Sequence, residues 1–281
     1  MRRVRDWPGR FACVPRAAKS TQVQETAMLT RTRKALYGLR GHCPAVLNGE
    51  RFRCDPYHSR FWRRASAGLW EPETFRILAA HLKTDTDYLD IGAWIGPTVL
   101  FAARRARHVW AFEPDPAAFR ALGWNLELNT LDNVTALPAA IWDTIGVARM
   151  AGFRGEAGDS TTSLLNPGGA AGAEVLTIGF NDFAGAVDLS GVGLVKIDIE
   201  GAEFDVVPRL VPWLEMQRPA LLLSTHAPYL PEHQRRARMA ALGEALAFYG
   251  SWQTAQGRAI TPGALTEASA LDGFRSYLLT G

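Results

Sequence analysis

The sequence predicts an α/β fold: one mainly parallel sheet with helices on both faces. Two observations carry this expectation. From about residue 71 onward, short apolar runs of strand length alternate with segments of helical period. Two of those runs, Tyr88-Leu89-Asp90-Ile91-Gly92-Ala93-Trp94-Ile95-Gly96 and Val195-Lys196-Ile197-Asp198-Ile199-Glu200-Gly201-Ala202-Glu203, stop abruptly at acids and glycine. In an open parallel sheet, that pattern marks a strand emptying into a ligand crevice at its carboxyl end.

The elements follow in order. The first 45 residues mix Arg, Thr, Gln and Pro without a sustained period and read as an extension, partly helical around 27–39. From Arg51 to Trp70 aromatic and basic residues alternate irregularly. Glu71-Pro72-Glu73-Thr74 opens a helix, because proline suits a first turn and the glutamates suit the positive end of the dipole. Phe75, Leu78, Ala79 and Leu82 give that helix one apolar face. Strand 88–91 then precedes helix 98–106, and strand 108–112 precedes helix 117–130. A strand at 134–141 follows. The segments 147–153 and 175–180, joined by a loop that is Gly/Ala-rich over 152–173, read as an insertion. Strand 194–199 leads into helix 202–210, and strand 221–225 into helix 231–248. Two late strands fall near 249–252 and 276–279. The domain division is therefore a basic, partly ordered extension over 1–50 and a single α/β domain over 51–281.

Composition narrows the class. A chain of 281 residues with 47% hydrophobic content suffices for one large domain. No run approaches the ~18–20 uncharged apolar residues of a membrane span. Arginines and a proline interrupt everything before Ala27, so no signal peptide is expected. Cys13, Cys43 and Cys54 are odd in number, form no CxxC pair and precede the expected core. They read as incidental thiols of a cytoplasmic protein. Residues 1–64 hold fifteen basic and four acidic residues, a balance of +11 against −8 for the rest. Such a leader could meet RNA, a phosphorylated substrate or an anionic surface. No regularly spaced aromatics accompany it, so it reads as a solvated tail, and nucleic acid is not the expected partner.

The first glycine-rich turn points to a nucleotide-like cofactor. Gly92 lets the chain turn sharply and pass close to a ligand, and Gly96 lets the next helix begin near the strand, with Pro97 in its first turn. Twenty-one residues beyond Gly92, Glu113 ends the next strand, placed to accept hydrogen bonds from both ribose hydroxyls. The spacing is GxxxG rather than GxGxxG, and Asp90 precedes it. A pyrophosphate beside that acid would be repelled, whereas a sulfonium and an amino group would be attracted. S-adenosylmethionine (SAM) carries both.

At this point the chain resembles a known family. Trp70-Glu71-Pro72-Glu73, Leu89 to Gly96, Phe112-Glu113-Pro114, Asn125, Asn133-Val134 and, most specifically, Val195 to Glu203 are similar to the FkbM-type SAM-dependent methyltransferases. The likeness covers roughly residues 60–230. It implies a class I (Rossmann-like) methyltransferase fold with a seven-stranded, mostly parallel sheet, and O-methylation of a hydroxyl on a small molecule or sugar. By the same resemblance Asp90, Gly92 and Gly96 would line the methionine moiety and Glu113 would hold the ribose. Ala140 and Ile141 would flank the adenine, Asp143 would meet its exocyclic amine, and Glu71 would be a cofactor-side contact. Trp142 is read as a core residue before an adenine-stacking one. Ser160-Thr161-Thr162-Ser163 resembles a substrate-side loop. Trp94 and Ser224-Thr225-His226 depart from the family pattern.

Methyl transfer to an alcohol needs an in-line approach and a place for the hydroxyl proton. The candidates are Asp198, Glu200 and His226, with Glu203 just beyond. Strand alternation puts Lys196, Asp198 and Glu200 on one side if the strand persists that far. These residue types also suit Mg²⁺, but nothing in the spacing fixes a geometry, and no metal is expected. A non-catalytic SAM-binding module and a nicotinamide-dependent oxidoreductase remain as alternative functions, and the sequence leaves the oligomeric state open.

Overall fold

A computed structural model of the chain describes residues 35–152, 162–163 and 172–281. Its first strands, β1 (Cys43–Leu47) and β2 (Glu50–Cys54), form an antiparallel hairpin. Two short helices follow, α1 (Ser59–Ser66) and α2 (Pro72–His81). The alternating part then runs β3 (Asp87–Ile91), α3 (Pro97–Ala103), β4 (Val109–Phe112), α4 (Pro116–Leu128) and β5 (Val134–Leu137). Next come β6 (Ala139–Trp142), β7 (Gly146–Gly152), β8 (Thr162–Ser163), β9 (Ala173–Gly179) and α5 (Phe180–Ala186). The last part contains β10 (Val192–Ile197), α6 (Glu203–Gln217), β11 (Ala220–Thr225) and α7 (Glu232–Ala245). It ends with β12 (Ser251–Thr254), β13 (Ala259–Ile260), α8 (Ala268–Leu271) and β14 (Arg275–Thr280).

Among the described residues the main sheet has eight strands, in the order β13-β12-β14-β11-β10-β3-β4-β5. The stretch from β11 to β5 is parallel, and β14, β12 and β13 add antiparallel pairs at one end. The α/β class with helices on both faces is as expected, but the sheet has one strand more than seven and is less uniformly parallel. Side chains alternate between two cores. Leu89, Ile91, Phe112, Val195 and Ile197 pack on the α5–α6–α7 side, and Tyr88, Val109, Ala111 and Leu194 on the side of α1 to α4. A strand covered on both faces is largely apolar; all five residues of β3 are buried, and its two acids are paired, Asp87 with Arg107 and Asp90 with Lys196.

Three departures from the sequence reading have local causes. The expected strand 134–141 is two strands in different sheets. Pro138 separates them, and without an N–H it cannot continue a ladder. Chain 139–179 makes the second sheet, β6-β9-β7-β8. Helix α6 runs past its expected end at 210 and through Pro208 and Pro212 to Gln217, because its apolar face is buried against the sheet. Cys43 and Cys54 do not precede the core. Both are buried in it, directly opposite each other in the hairpin register, and both are free thiols. Cys13, Ser160 and Thr161 lie outside the described residues, and Thr162–Ser163 pair with Ala151 and Gly152.

Candidate functional site

The carboxyl ends of β3, β4, β10 and β11 open into one cavity of about 330 Å³, within the range of small-molecule sites. On its cofactor-like side lie Gly92, Ala93, Trp94, Glu113, Ala140 and Ile141. Glu113 is buried, with Oε2 accepting the Trp94 N–H at 2.7 Å and Oε1 the Asp115 N–H at 2.8 Å. These two backbone donors fix the carboxyl plane. Burial lifts its pKa to about 7 despite them. Asp115 itself caps α4 through the N–H groups of Ala117 and Ala118, which anchors the turn that supplies one donor. Trp94 adopts a left-handed φ of 50°, and its ring packs edge-on against Phe61 beside Trp70.

Gly92 is required for a reason the sequence did not reveal. With φ of +94°, a Cβ there would sit 1.9 Å from the Asp198 carbonyl oxygen. The close approach is thus to the turn after β10. At Gly96 the crowding comes from Leu122 of α4, and Gly96 is not part of the cavity wall.

Asp90 is likewise fully buried behind the wall. It accepts from Tyr88 and Thr98 on Oδ2 and from Lys196 on Oδ1. Lys196 stands opposite Asp90 in the β10–β3 register, so the ion pair follows from strand pairing. Its Nζ also donates to the Gly92 carbonyl oxygen at 3.2 Å and lies 3.4 Å from Asp198 Oδ2. Burial alone would lower the Lys196 pKa. Asp90, Asp198 and Glu71 outweigh burial and hold the ammonium above its ordinary range. Asp143 is not brought to the cavity: it is exposed and pairs with Arg209, while Trp142 packs against the core and the same arginine.

The same cavity is also lined by Glu71, Asp198, Glu200, Ser224, His226, Tyr229, Phe274 and Arg275. β10 stops at Ile197, and Glu200 (φ 52°) and Gly201 (φ 100°) turn the chain into α6. Asp198 and Glu200 therefore stand on a turn rather than on one strand face, yet both reach the cavity. Glu71 occupies the N-cap position of α2 with φ of 41°; its Oε2 accepts from Thr74, and its side chain lines the cavity. Burial and then Asp198 raise it to about 7, against Lys196.

Glu203, just beyond the candidates in sequence, is fully buried. Its Oε2 accepts the Gly201 N–H at 2.8 Å, and its Oε1 accepts the His226 backbone N–H at 2.6 Å. It joins the β10–α6 turn to the end of β11. Burial alone would lower the pKa of His226, but Glu203, then Asp198 and Glu200, raise it to about 9. In that protonated form the imidazole donates hydrogen bonds and does not accept a proton. Tyr229 stacks on His226 with an interplanar angle of 8°, and Phe274 closes the cluster, neither of which the sequence singled out.

Among the described residues, no helix is long and apolar enough to cross a membrane. Solved structures similar to the chain are distant. Methyltransferase FkbM from Methylobacillus flagellatus KT shares 16% identity over 70% of this chain and 44% of its own, with a TM-score of 0.44. A Streptococcus mutans protein solved in complex with SAH shares 10% over 73% and 94%, with a TM-score of 0.43. The M. jannaschii tRNA m1G37 methyltransferase shares 12% over 85% and 56%, with a TM-score of 0.39. The chain spans less than two thirds of the length of the first and last of these. Among curated proteins, none matches the chain. The family model of the methyltransferase FkbM domain matches residues 90–245, more than half of the chain and all of the strand ends that build the cavity. The chain belongs to the FkbM methyltransferase domain family.

Proposed function

We propose that the chain is a SAM-dependent methyltransferase whose acceptor is a hydroxyl of a small molecule or sugar. The observation that carries this reading is Glu113: a carboxylate at a strand tip, clamped by two backbone N–H groups and facing a cavity beside a glycine turn. Each of its oxygens has a lone pair left for a ribose hydroxyl. The apolar wall of Ala140 and Ile141 fits an adenine, and Gly92 and Ala93 bring backbone rather than side chain to the methionine end. Asp90 supports this wall from behind through Lys196, and neither Gly96 nor Asp143 is assigned a direct contact.

When bound, the donor supplies a methyl group on a cationic sulfur. The chain's own acids do the rest. Asp198 and Glu200, which line the cavity, are the candidates to receive the hydroxyl proton, and Glu71, its pKa raised to about 7, adds a third carboxyl to the lining. Tyr229 and Phe274 offer ring faces, and Ser224 and Arg275 polar contacts, which suit an acceptor with both apolar and hydroxyl-bearing surface. The test is calorimetry with SAM and SAH, followed by a methyl-transfer panel of sugars, small alcohols and transfer RNA. Micromolar donor binding with transfer to a hydroxyl supports the reading. Donor binding with transfer only to RNA would replace the acceptor class, and no donor binding would end the proposal.

A further inference from the structure

One cluster on the acceptor wall has a geometry that proton transfer does not require. Asp198 and Glu200 each offer a carboxylate oxygen and His226 a ring nitrogen, all within 4.8 Å of one another. His226 Nε2 lies 3.5 Å from Asp198 Oδ1 and 3.4 Å from Glu200 Oε2. Those separations, like the 3.3 Å from His226 Nδ1 to Glu203 Oε1, exceed the favoured hydrogen-bond length of about 2.7–3.2 Å. They match neighbouring ligands of a single ion: donors about 2.0–2.2 Å from a divalent cation stand roughly 2.8–3.6 Å apart at octahedral or tetrahedral angles.

Each of two ligand side chains is also oriented by a second partner. His226 Nδ1 lies 3.3 Å from Oε1 of the buried Glu203. A carboxylate at Nδ1 favours the tautomer with its hydrogen there and turns the Nε2 lone pair toward the cluster, the support that metal-bound histidines ordinarily have. Asp198 has Oδ2 against Lys196 Nζ, which leaves Oδ1 for the cluster. All three residues line the cavity, so the remaining coordination positions open to it.

We propose that Asp198, Glu200 and His226 form a divalent-cation site of the Mn²⁺ class, one imidazole and two carboxylates, whose open positions take water or acceptor oxygens. An ion there takes the place of the imidazole proton, and it would hold and polarise an acceptor hydroxyl, favouring acceptors with two adjacent oxygens. This last role rests on the methyl-transfer reading; the binding of the ion does not.

The test uses the full-length chain, stripped with a chelator and titrated with MnCl₂, with unbound Mn²⁺ read by electron paramagnetic resonance. SAH binding is measured in parallel by calorimetry. The expected result is one Mn²⁺ per chain with a dissociation constant below about 100 µM. Glu200→Gln and His226→Asn, checked for folding by circular dichroism, should each weaken it at least about tenfold, or ~1.4 kcal/mol. No uptake by the wild-type chain up to about 1 mM Mn²⁺ overturns the site, whatever the variants do. Uptake unchanged in both folded variants also overturns it. SAH binding without Mn²⁺ uptake would discard the ion and keep the methyl-transfer reading, whereas Mn²⁺ uptake without SAH binding would do the reverse.

Discussion

Glu113 ties the donor reading to a measurable titration. Burial, with repulsion from Asp115 and Asp90, lifts its carboxyl to about 7, while the N–H groups of Asp115 and Trp94 pull the other way. Only the ionised form accepts from two ribose hydroxyls while still accepting both backbone donors. Donor affinity should therefore fall as pH drops below about 7, approaching tenfold per unit if the neutral form binds nothing. Glu113→Gln replaces one oxygen by an NH₂ that faces a backbone N–H. It should cost about 1–3 kcal/mol of donor affinity and abolish the slope. Calorimetry with SAH between pH 6 and 8 reads both, and a slope that survives in the variant assigns the titration to another group. Gly92 tests the scaffold beneath this wall. An alanine there meets the Asp198 carbonyl oxygen at 1.9 Å and must hold φ near +94°. We expect Gly92→Ala to lose roughly 2–4 kcal/mol in urea unfolding. Gly96→Ala should lose less, because the Leu122 methyl it meets at 2.5 Å can rotate away. Equal losses would mean that the β3–β10 spacing is softer than the contact implies.

The hairpin β1–β2 shows what an element gains from its neighbours. Its inward residues, Cys43, Ala45, Leu47, Phe52 and Cys54, are buried against α1 and the sheet. Asn125 of α4 locks it in place, accepting the Asp55 N–H at 2.7 Å and donating to the Ile95 carbonyl oxygen at 2.8 Å. Burial pushes the Cys43 thiol up to about 12, and that of Cys54 higher still. Neither thiolate forms at neutral pH, so iodoacetamide should leave both cysteines unmodified in the native protein and label both in denaturant. Rapid native labelling, read by peptide mass spectrometry, would show that the hairpin opens readily. The hairpin was hidden in the sequence because its arms are five residues long and β2 carries Arg51 and Arg53 at its exposed positions. β3, β4, β10 and β11 were readable because burial on both faces makes them largely apolar, and β3 and β10 because they also run into acids and glycine. The ligand-side geometry was less readable. Asp198 and Glu200 looked like strand-face neighbours, but they reach the cavity from a turn. Glu203 stood just beyond the candidates in sequence, but it is the buried support of His226. The second outcome depends on the end of β11, which no local pattern around Glu203 describes.

The charge division of the chain meets the fold at this same hairpin. Residues 1–41 carry ten basic and two acidic residues and precede β1, whereas a cut after residue 50 would part β1 from β2 and break their five register pairs. Two truncations separate the roles. Removing residues 1–41 keeps β1 and β2 and gives up, among the described residues, the partly buried packing of Tyr37, so thermal stability and SAH affinity should stay close to those of the full chain. A loss of methyl transfer in that variant, with affinity kept, would place the basic segment on the acceptor side. Removing residues 1–54 deletes Leu47, Phe52 and Cys54, each a fully or nearly fully buried side chain. Burial of such side chains contributes about 1.5–3 kcal/mol apiece. At ~2–4 °C per kcal/mol for a domain of this size, the melting temperature should drop by roughly 10 °C or more. Circular dichroism melts of both variants, beside calorimetry with SAH, decide the matter. Matching melts would make the hairpin an appendage and move the start of the folded domain to α1. Divergent melts would put that start at β1, so that the folded domain begins at Cys43 and the donor wall inherits its rigidity from the hairpin through Asn125 and Ile95.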